Sequence, residues 1–162
     1  MSIIATKQTQ VVIVGARAGQ NAAKRMAEFC YMMGLPLNVH AFVYPPDAGK
    51  TVEVLYGNQL LSIPVYASVA DAHAAHPTVN TALIYAGADK VFSTTKEALD
   101  TDGINFVSII AEGVPEKDAK RLIKLSQEKN KLVNGPAAVG VMSAGECRLG
   151  VIGGEYRNLK LC

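Results

Sequence analysis

The chain has 162 residues, 49% of them hydrophobic and 19% charged, with a formal net charge of +2. That length fits one domain with a substantial core, and the small charge argues against nucleic-acid and membrane-surface binding. No apolar run approaches the roughly 18 residues of a membrane span, the N-terminus has no secretory pattern, and three cysteines without a Cys-x-x-Cys pair indicate a reducing, cytoplasmic setting.

After a polar lead-in, Gln10-Val-Val-Ile-Val-Gly15 reads as a buried parallel strand. Gly15 ends it, Gly19 permits a second tight bend, and an alanine-rich helix covers about residues 19–33. Its apolar stripe is Ala22, Met26, Phe29, Cys30 and Met33. Gly34-Leu-Pro36 stops the helix, and residues 38–44 form a second strand. Pro45 to Thr51 is a loop by composition. Val52–Tyr56 and Gln59–Ile63, joined at Gly57-Asn58, read as a small hairpin.

Ser68 is a good N-cap for a short polar helix, with Asp71 at the capping-box position. His73 and His76 sit three apart on that helix and read as its solvated face, while His40 has no metal-ligand spacing to the cysteines. A third main strand covers 81–85, and a helix runs to about Leu99. A fourth strand covers 104–110, and a helix begun by Pro115 or Glu116 runs to Asn130, with Ala119, Leu122, Ile123 and Leu125 mostly on one side. A last parallel strand covers 131–134. Short extended pieces lie around Arg148–Ile152, and residues 153–162 look like a linker.

This order predicts an α/β domain with a doubly wound, mostly parallel, Rossmann-like sheet and a small β-hairpin insertion. Ligands of such sheets bind beyond the carboxyl ends of the strands. Three small-residue turns fall there, at Gly15–Gln20, Ala86–Ala88 and Ala111–Gly113. The first aims helix N–H groups and the Arg17 guanidinium at one point, a combination suited to a phosphate. Neither the dinucleotide fingerprint nor the P-loop fits. The spacing is Gly15-x-x-x-Gly19, no acid ends the second strand, and Gly49-Lys50-Thr51 lacks the upstream glycine.

Several separated motifs carry a family resemblance. They are Met1-Ser-Ile-Ile, the Gly15 turn with Arg17-Ala-x-Gln20, Ile63-Pro-Val-Tyr66, Ile109-Ile-Ala-Glu-Gly-Val-Pro115, and Gly135-Pro-Ala-Ala-Val-Gly-Val-Met-Ser-Ala-Gly-Glu-Cys-Arg-Leu-Gly150. Together they resemble the CoA-binding domain of succinyl-CoA synthetase α-type subunits, and more closely the ATP-citrate lyase and citryl-CoA synthetase branch. Where the succinyl-CoA pattern has Asn-Cys-Pro after Gly-Pro, this chain has Ala137-Ala138-Val139.

The resemblance implies coenzyme A as the ligand. It implies contacts at Arg17, Ala18, Gly19 and Gln20, at Lys50 in the loop after the second strand, at Ala86 and Gly87, and at Ile110, Ala111 and Glu112. It implies no catalytic or metal-binding residue within these 162 positions. ATP, Mg and the phosphohistidine belong to other parts of the family enzyme, as do the ATP-grasp and citrate-synthase-like parts. The expected function is therefore CoA binding within an ATP-dependent acyl-CoA-forming enzyme, ATP-citrate lyase first, by a domain spanning 1–152. The alternatives are a succinyl-CoA synthetase-like fragment and a stand-alone nucleotide-binding regulatory module. Homo-oligomer formation stays open.

Overall fold

Alternation along the first strand sets the architecture. Val11 and Ile13 join one buried cluster and Val12 and Val14 the other. A strand buried on both sides needs a partner at each edge and a covering layer on each face. The computed structural model, which describes residues 5–15 and 17–153, supplies both.

The elements in chain order are β1 (Val11–Val14), α1 (Arg17–Met32), β2 (Val39–Val43), a 3-10 turn (Pro45–Asp47), β3 (Thr51–Tyr56), β4 (Gln59–Tyr66), α2 (Val69–Ala75), β5 (Thr81–Ile84), α3 (Val91–Asp100), β6 (Phe106–Ile109), α4 (Glu116–Glu128), β7 (Leu132–Asn134), β8 (Gly140–Ser143) and β9 (Cys147–Gly150). Seven strands form one sheet in the order β3-β4-β2-β1-β5-β6-β7. All neighbours are parallel except β3 and β4.

The expected hairpin is part of this sheet and not an appendage. β4 runs on past Pro64 because Val65 and Tyr66 pair in parallel with Phe42 and Val43 of β2. The short strand β3 thus replaces the helix of an ordinary crossover.

α2, α3 and α4 cover one face through Val69, Ala72, Val91, Leu99 and Leu122, packed on Val12, Val14, Ala82 and Ile84. α1 covers the other through Ala23, Met26 and Ala27, packed on Val11, Ile13, Phe42 and Leu83. The anticipated α1 stripe is buried at Ala22, Met26, Phe29 and Cys30. Gly34 (φ +65°) closes α1, and the N–H of Leu35 returns to the carbonyl of Cys30 at 2.8 Å. At α2 the Ser68 hydroxyl accepts from the N–H of Asp71 at 3.0 Å, so the expected cap forms. In α4, Leu122 is buried while Ile123 is 50% exposed, because one helical step turns a side chain about 100° away. Lys131 Nζ closes α3 by donating to the carbonyls of Leu99 (2.8 Å) and Thr101 (2.7 Å).

The segment expected to hold only short extended pieces forms the antiparallel hairpin β8–β9. All of β9 is buried, with Cys147 and Leu149 in the α1-side core. The proposed linker lies outside the described residues except for Gly153.

Candidate functional site

The chain leaves β1 towards β2 on one side, and β5 towards β6 on the other. The carboxyl ends of β1 and β5 therefore flank the switch point of the sheet, where crossovers diverge and a crevice opens. Backbone hydrogen bonds lace its floor. Gly15 N donates to Val43 O (2.9 Å), Tyr85 N to Val14 O (2.7 Å) and Ile110 N to Ile84 O (3.0 Å).

The two glycines of the first turn have different jobs. Gly15 has φ +114°, and a Cβ there would come within 2.8 Å of the Tyr85 carbonyl. It is needed both for its backbone conformation and for close approach. Gly19 was expected at a second bend. It lies instead in the first turn of α1, buried, where a Cβ would meet Ile13 Cγ2 at 2.4 Å. Its small size lets α1 lie close on β1, so the helix starts nearer the sheet and earlier than the sequence pattern indicates.

Arg17 is the first residue of α1, and its side chain lies outside the described residues. Ala18 and Gln20 are exposed in the same turn. The first turn carries no acid. The N–H groups at its start and the positive end of the helix dipole are therefore not offset by a carboxylate of that turn.

Lys50 reaches the same end of the sheet, since its carbonyl accepts from Val65 N at 2.9 Å beside the last residues of β4. Its ammonium pairs with Asp47 Oδ1 at 2.7 Å, and that hydrogen bond holds its pKa above the ordinary lysine value. The pair is exposed, so a ligand anion meets little resistance in displacing the aspartate. Ala86 and Gly87 follow β5, and the Gly87 carbonyl accepts from Lys90 N and Val91 N at the start of α3. Ile110, Ala111 and Glu112 follow β6, with Glu112 exposed. Every sequence-predicted position thus falls at the carboxyl ends of β1, β4, β5 and β6.

Two contributors to this end were not picked out from the sequence. Gly135 to Ala138 folds onto β6, with Ala137 N donating to Ala111 O and Ala138 N to Ile109 O, both at 3.0 Å. A Cβ at Gly135 would lie 2.3 Å from Ile109 O, and the Gly135-Pro136 peptide is cis. The Gly-Pro pair was the available signal. Tyr85 lies beneath the crevice, its buried hydroxyl without a hydrogen-bond partner among the described residues. Burial pushes its phenol up to about 12. Clefts of about 400 and 430 Å³ lie elsewhere, one between α1 and the β3–β4 turn and one between α2 and α3. They lack the convergence of strand ends and free helix N–H groups.

The histidines regroup. His76 leaves His73 and sits against His40, with ring centroids 5.9 Å apart and planes tilted by 41°, while its Nε2 meets the Tyr66 hydroxyl at 3.0 Å. Burial lowers the His40 pKa, and His76 adds to that. Among the described residues no three His, Cys, Asp or Glu side chains gather as a metal site.

A mostly parallel sheet in this order, helices on both faces, and a switch crevice with a glycine turn define a Rossmann-like ligand-binding domain. The chain belongs to the CoA binding domain family, whose model matches residues 6–113. It is similar to ATP-citrate synthase beta chain protein 2 of Arabidopsis thaliana, at 34% identity over 88% of this chain and 24% of that protein. It superposes on ATP citrate lyase from Methanothrix soehngenii, solved with citrate and coenzyme A, with a TM-score of 0.91 and 29% identity over 96% of this chain and 25% of the other. ATP citrate lyase of Methanosaeta concilii, solved with (3S)-citryl-CoA, gives 0.90 and 30% over the same shares. The chain therefore spans about a quarter of the length of these relatives.

Proposed function

We propose that this chain binds coenzyme A at the carboxyl ends of β1, β4, β5 and β6, as the CoA-binding part of an ATP-citrate lyase. The observation that carries the reading is the switch-point crevice itself, with an acid-free helix start facing small-residue turns. The N–H groups of the first turn of α1, at Arg17, Ala18, Gly19 and Gln20, take the phosphate oxygens, and the Arg17 guanidinium adds a fork of donors. Lys50 turns from Asp47 to the nucleotide end of the ligand. Ala86, Gly87, Ile110 and Ala111 have side chains small or apolar enough for the remainder to pass along the backbone, and Glu112 stands at its rim. Bound coenzyme A supplies a thiol. The work of this chain is to anchor and aim it, which converts a bimolecular encounter into a local one.

The other chemistry belongs to parts outside this chain. Those parts take citrate, CoA and ATP to acetyl-CoA, oxaloacetate, ADP and phosphate, with Mg held by the nucleotide-binding portion. ATP-grasp, phosphohistidine and citrate-synthase-like parts are the partners this reading requires, in the cytoplasm. Among the described residues no helix is long and apolar enough to cross a membrane.

Calorimetric titration with CoA, and with NAD as control, tests the proposal. Saturable CoA binding without NAD binding is expected. Arg17→Ala and Lys50→Ala should each weaken it by roughly 1–3 kcal/mol, the scale of a charged hydrogen bond. NAD binding alone would favour the regulatory nucleotide module instead, although no acid ends β2 to hold a ribose. Unchanged affinity in both variants would sink the phosphate placement.

A further inference from the structure

The loop after β2 brings its own anion to its own cation. Pro45 and Pro46 restrict the backbone of the 3-10 turn, which closes as Asp47 N donates to Tyr44 O at 3.0 Å. Lys50 N then donates to Asp47 O (3.0 Å), Gly49 N to Val65 O (2.9 Å) and Val65 N to Lys50 O (2.9 Å). The loop is thereby tied to β4, and the Asp47 and Lys50 side chains leave a held backbone. Asp47 Oδ1 and Lys50 Nζ meet at 2.7 Å, with the two side chains 42% and 69% exposed. Among the described residues neither has a second ion-pair partner.

The two anion-seeking positions at this end of the sheet therefore differ. The first turn of α1 carries no acid. Lys50 carries one three residues away, already in contact.

We propose that Asp47 is a built-in competitor for the ligand anion at Lys50, and that it holds down the preference of the site for a coenzyme bearing a phosphate on its ribose. This rests on the coenzyme A reading above. In that reading the N–H groups of α1 take the pyrophosphate, which leaves the ribose phosphate for Lys50. That phosphate reaches Lys50 Nζ only as the Asp47 ion pair opens. The displaced carboxylate stays in the same short loop, where it repels the incoming group. Both effects oppose binding, and both are modest because the pair is open to solvent. A phosphomonoester carries about −1.5 to −2 charges at pH 7, enough to draw Lys50 from a single carboxylate. A coenzyme without that group leaves the pair closed. The consequence is a site that releases its ligand more readily than its cations alone would allow.

Calorimetric titration of the full chain, Asp47→Asn, Lys50→Ala and the double variant tests this. Each is titrated with CoA and with dephospho-CoA, which lacks the ribose phosphate. Asp47 holds its turn through backbone groups, so Asp47→Asn should fold, which circular dichroism checks. The expected result is CoA bound about fivefold tighter by Asp47→Asn than by the native chain, with dephospho-CoA changed by less than about twofold. The gain for CoA should shrink when Asp47→Asn is made on Lys50→Ala. A CoA affinity in Asp47→Asn equal to or below the native one overturns the proposal. So does a gain shared equally by both ligands, or one undiminished without Lys50. Those outcomes leave the coenzyme reading standing. A native chain that does not bind CoA, or binds it no worse in Lys50→Ala, overturns the placement of the ligand and this inference with it.

Discussion

Three helices cover one face of the sheet, whereas one helix and a hairpin cover the other, and the two covers differ in chemistry. Under α2, α3 and α4 the contacts are mostly aliphatic, from Val69, Val91, Leu99 and Leu122, and the polar side chains these helices bury are the small hydroxyls of Thr95 and Ser126. Under α1 and β9 a polar line is buried among the apolar residues. Asn38 accepts from Cys30 Sγ (3.5 Å) and donates to Cys147 Sγ (3.7 Å). Arg148 is fully buried, its Nη2 donating to Val151 O at 3.1 Å. Burial and the nearby Arg25 lower its pKa, and Glu28 opposes them. Helices satisfy their own backbone and bring a nearly apolar stripe, and a hydroxyl such as that of Ser126 is settled within the helix by donating to Ile123 O at 2.8 Å. A lone hairpin reaching in from the chain's far end carries polar side chains with it and must settle them by local hydrogen bonds.

The sharpest way to break this comparison is to remove one apolar anchor from each cover. Leu149→Ala in β9 should cost about 3 kcal/mol, close to Leu122→Ala in α4, because both side chains are fully buried. Urea denaturation measures both. If Leu149→Ala cost less than about 1 kcal/mol, the hairpin would be a flap laid on the surface and not half of a core.

A smaller effect separates the faces by pH. Burial, with Cys30 adding to it, pushes the Cys147 thiol from 9.0 up to about 11. The folded chain then holds a proton that the unfolded chain releases above pH 9. Its contribution to stability is complete below pH 9 and is lost as pH rises towards 11. Denaturation midpoints should fall between pH 9 and 10, before the buried Tyr85 phenol contributes, and fall less steeply in Cys147→Ala. Equal slopes in the two proteins would remove the thiol from the account.

The smallest effect belongs outside the helical cover. Glu116 and Lys120 pair at 2.6 Å on α4, both largely exposed. Glu116→Gln should change stability by no more than about 0.5 kcal/mol. A melting shift well beyond that would mean the outer surface of α4 contributes more than its solvated charges allow.

How much was legible follows the same division. Val11–Val14, Thr81–Ile84 and Phe106–Ile109 read as strands because burial on both faces leaves a run of apolar residues. The Ser68 cap, the Gly57-Asn58 turn and the Pro115 helix start are local chemistry and read directly. The start of α1 did not. Its position depends on how closely Gly19 approaches Ile13, a contact invisible to periodicity. β8–β9 was missed because glycines, a glutamate and an arginine resemble a loop until α1 provides a surface. The partnership of His76 with His40 likewise depends on α2 crossing the sheet. In the crevice, the turns were readable by position in the βα order, while Tyr85 and the Gly135–Ala138 segment gain their places through packing between distant parts of the chain.

The central position of β1 has a consequence for the timing of synthesis. Val11 pairs with Val39 on one side, and on the other with Thr81, which is made much later. During translation the first strand can acquire α1, β2 and the β3–β4 hairpin while its other edge and its second face stay bare. At about 5–20 residues per second the interval from Tyr66 to β5 lasts about 1–4 s, far longer than a hairpin needs to form. The nascent chain therefore carries a half-sheet with an apolar strand at its margin, and it stays sticky until β5 emerges to close it.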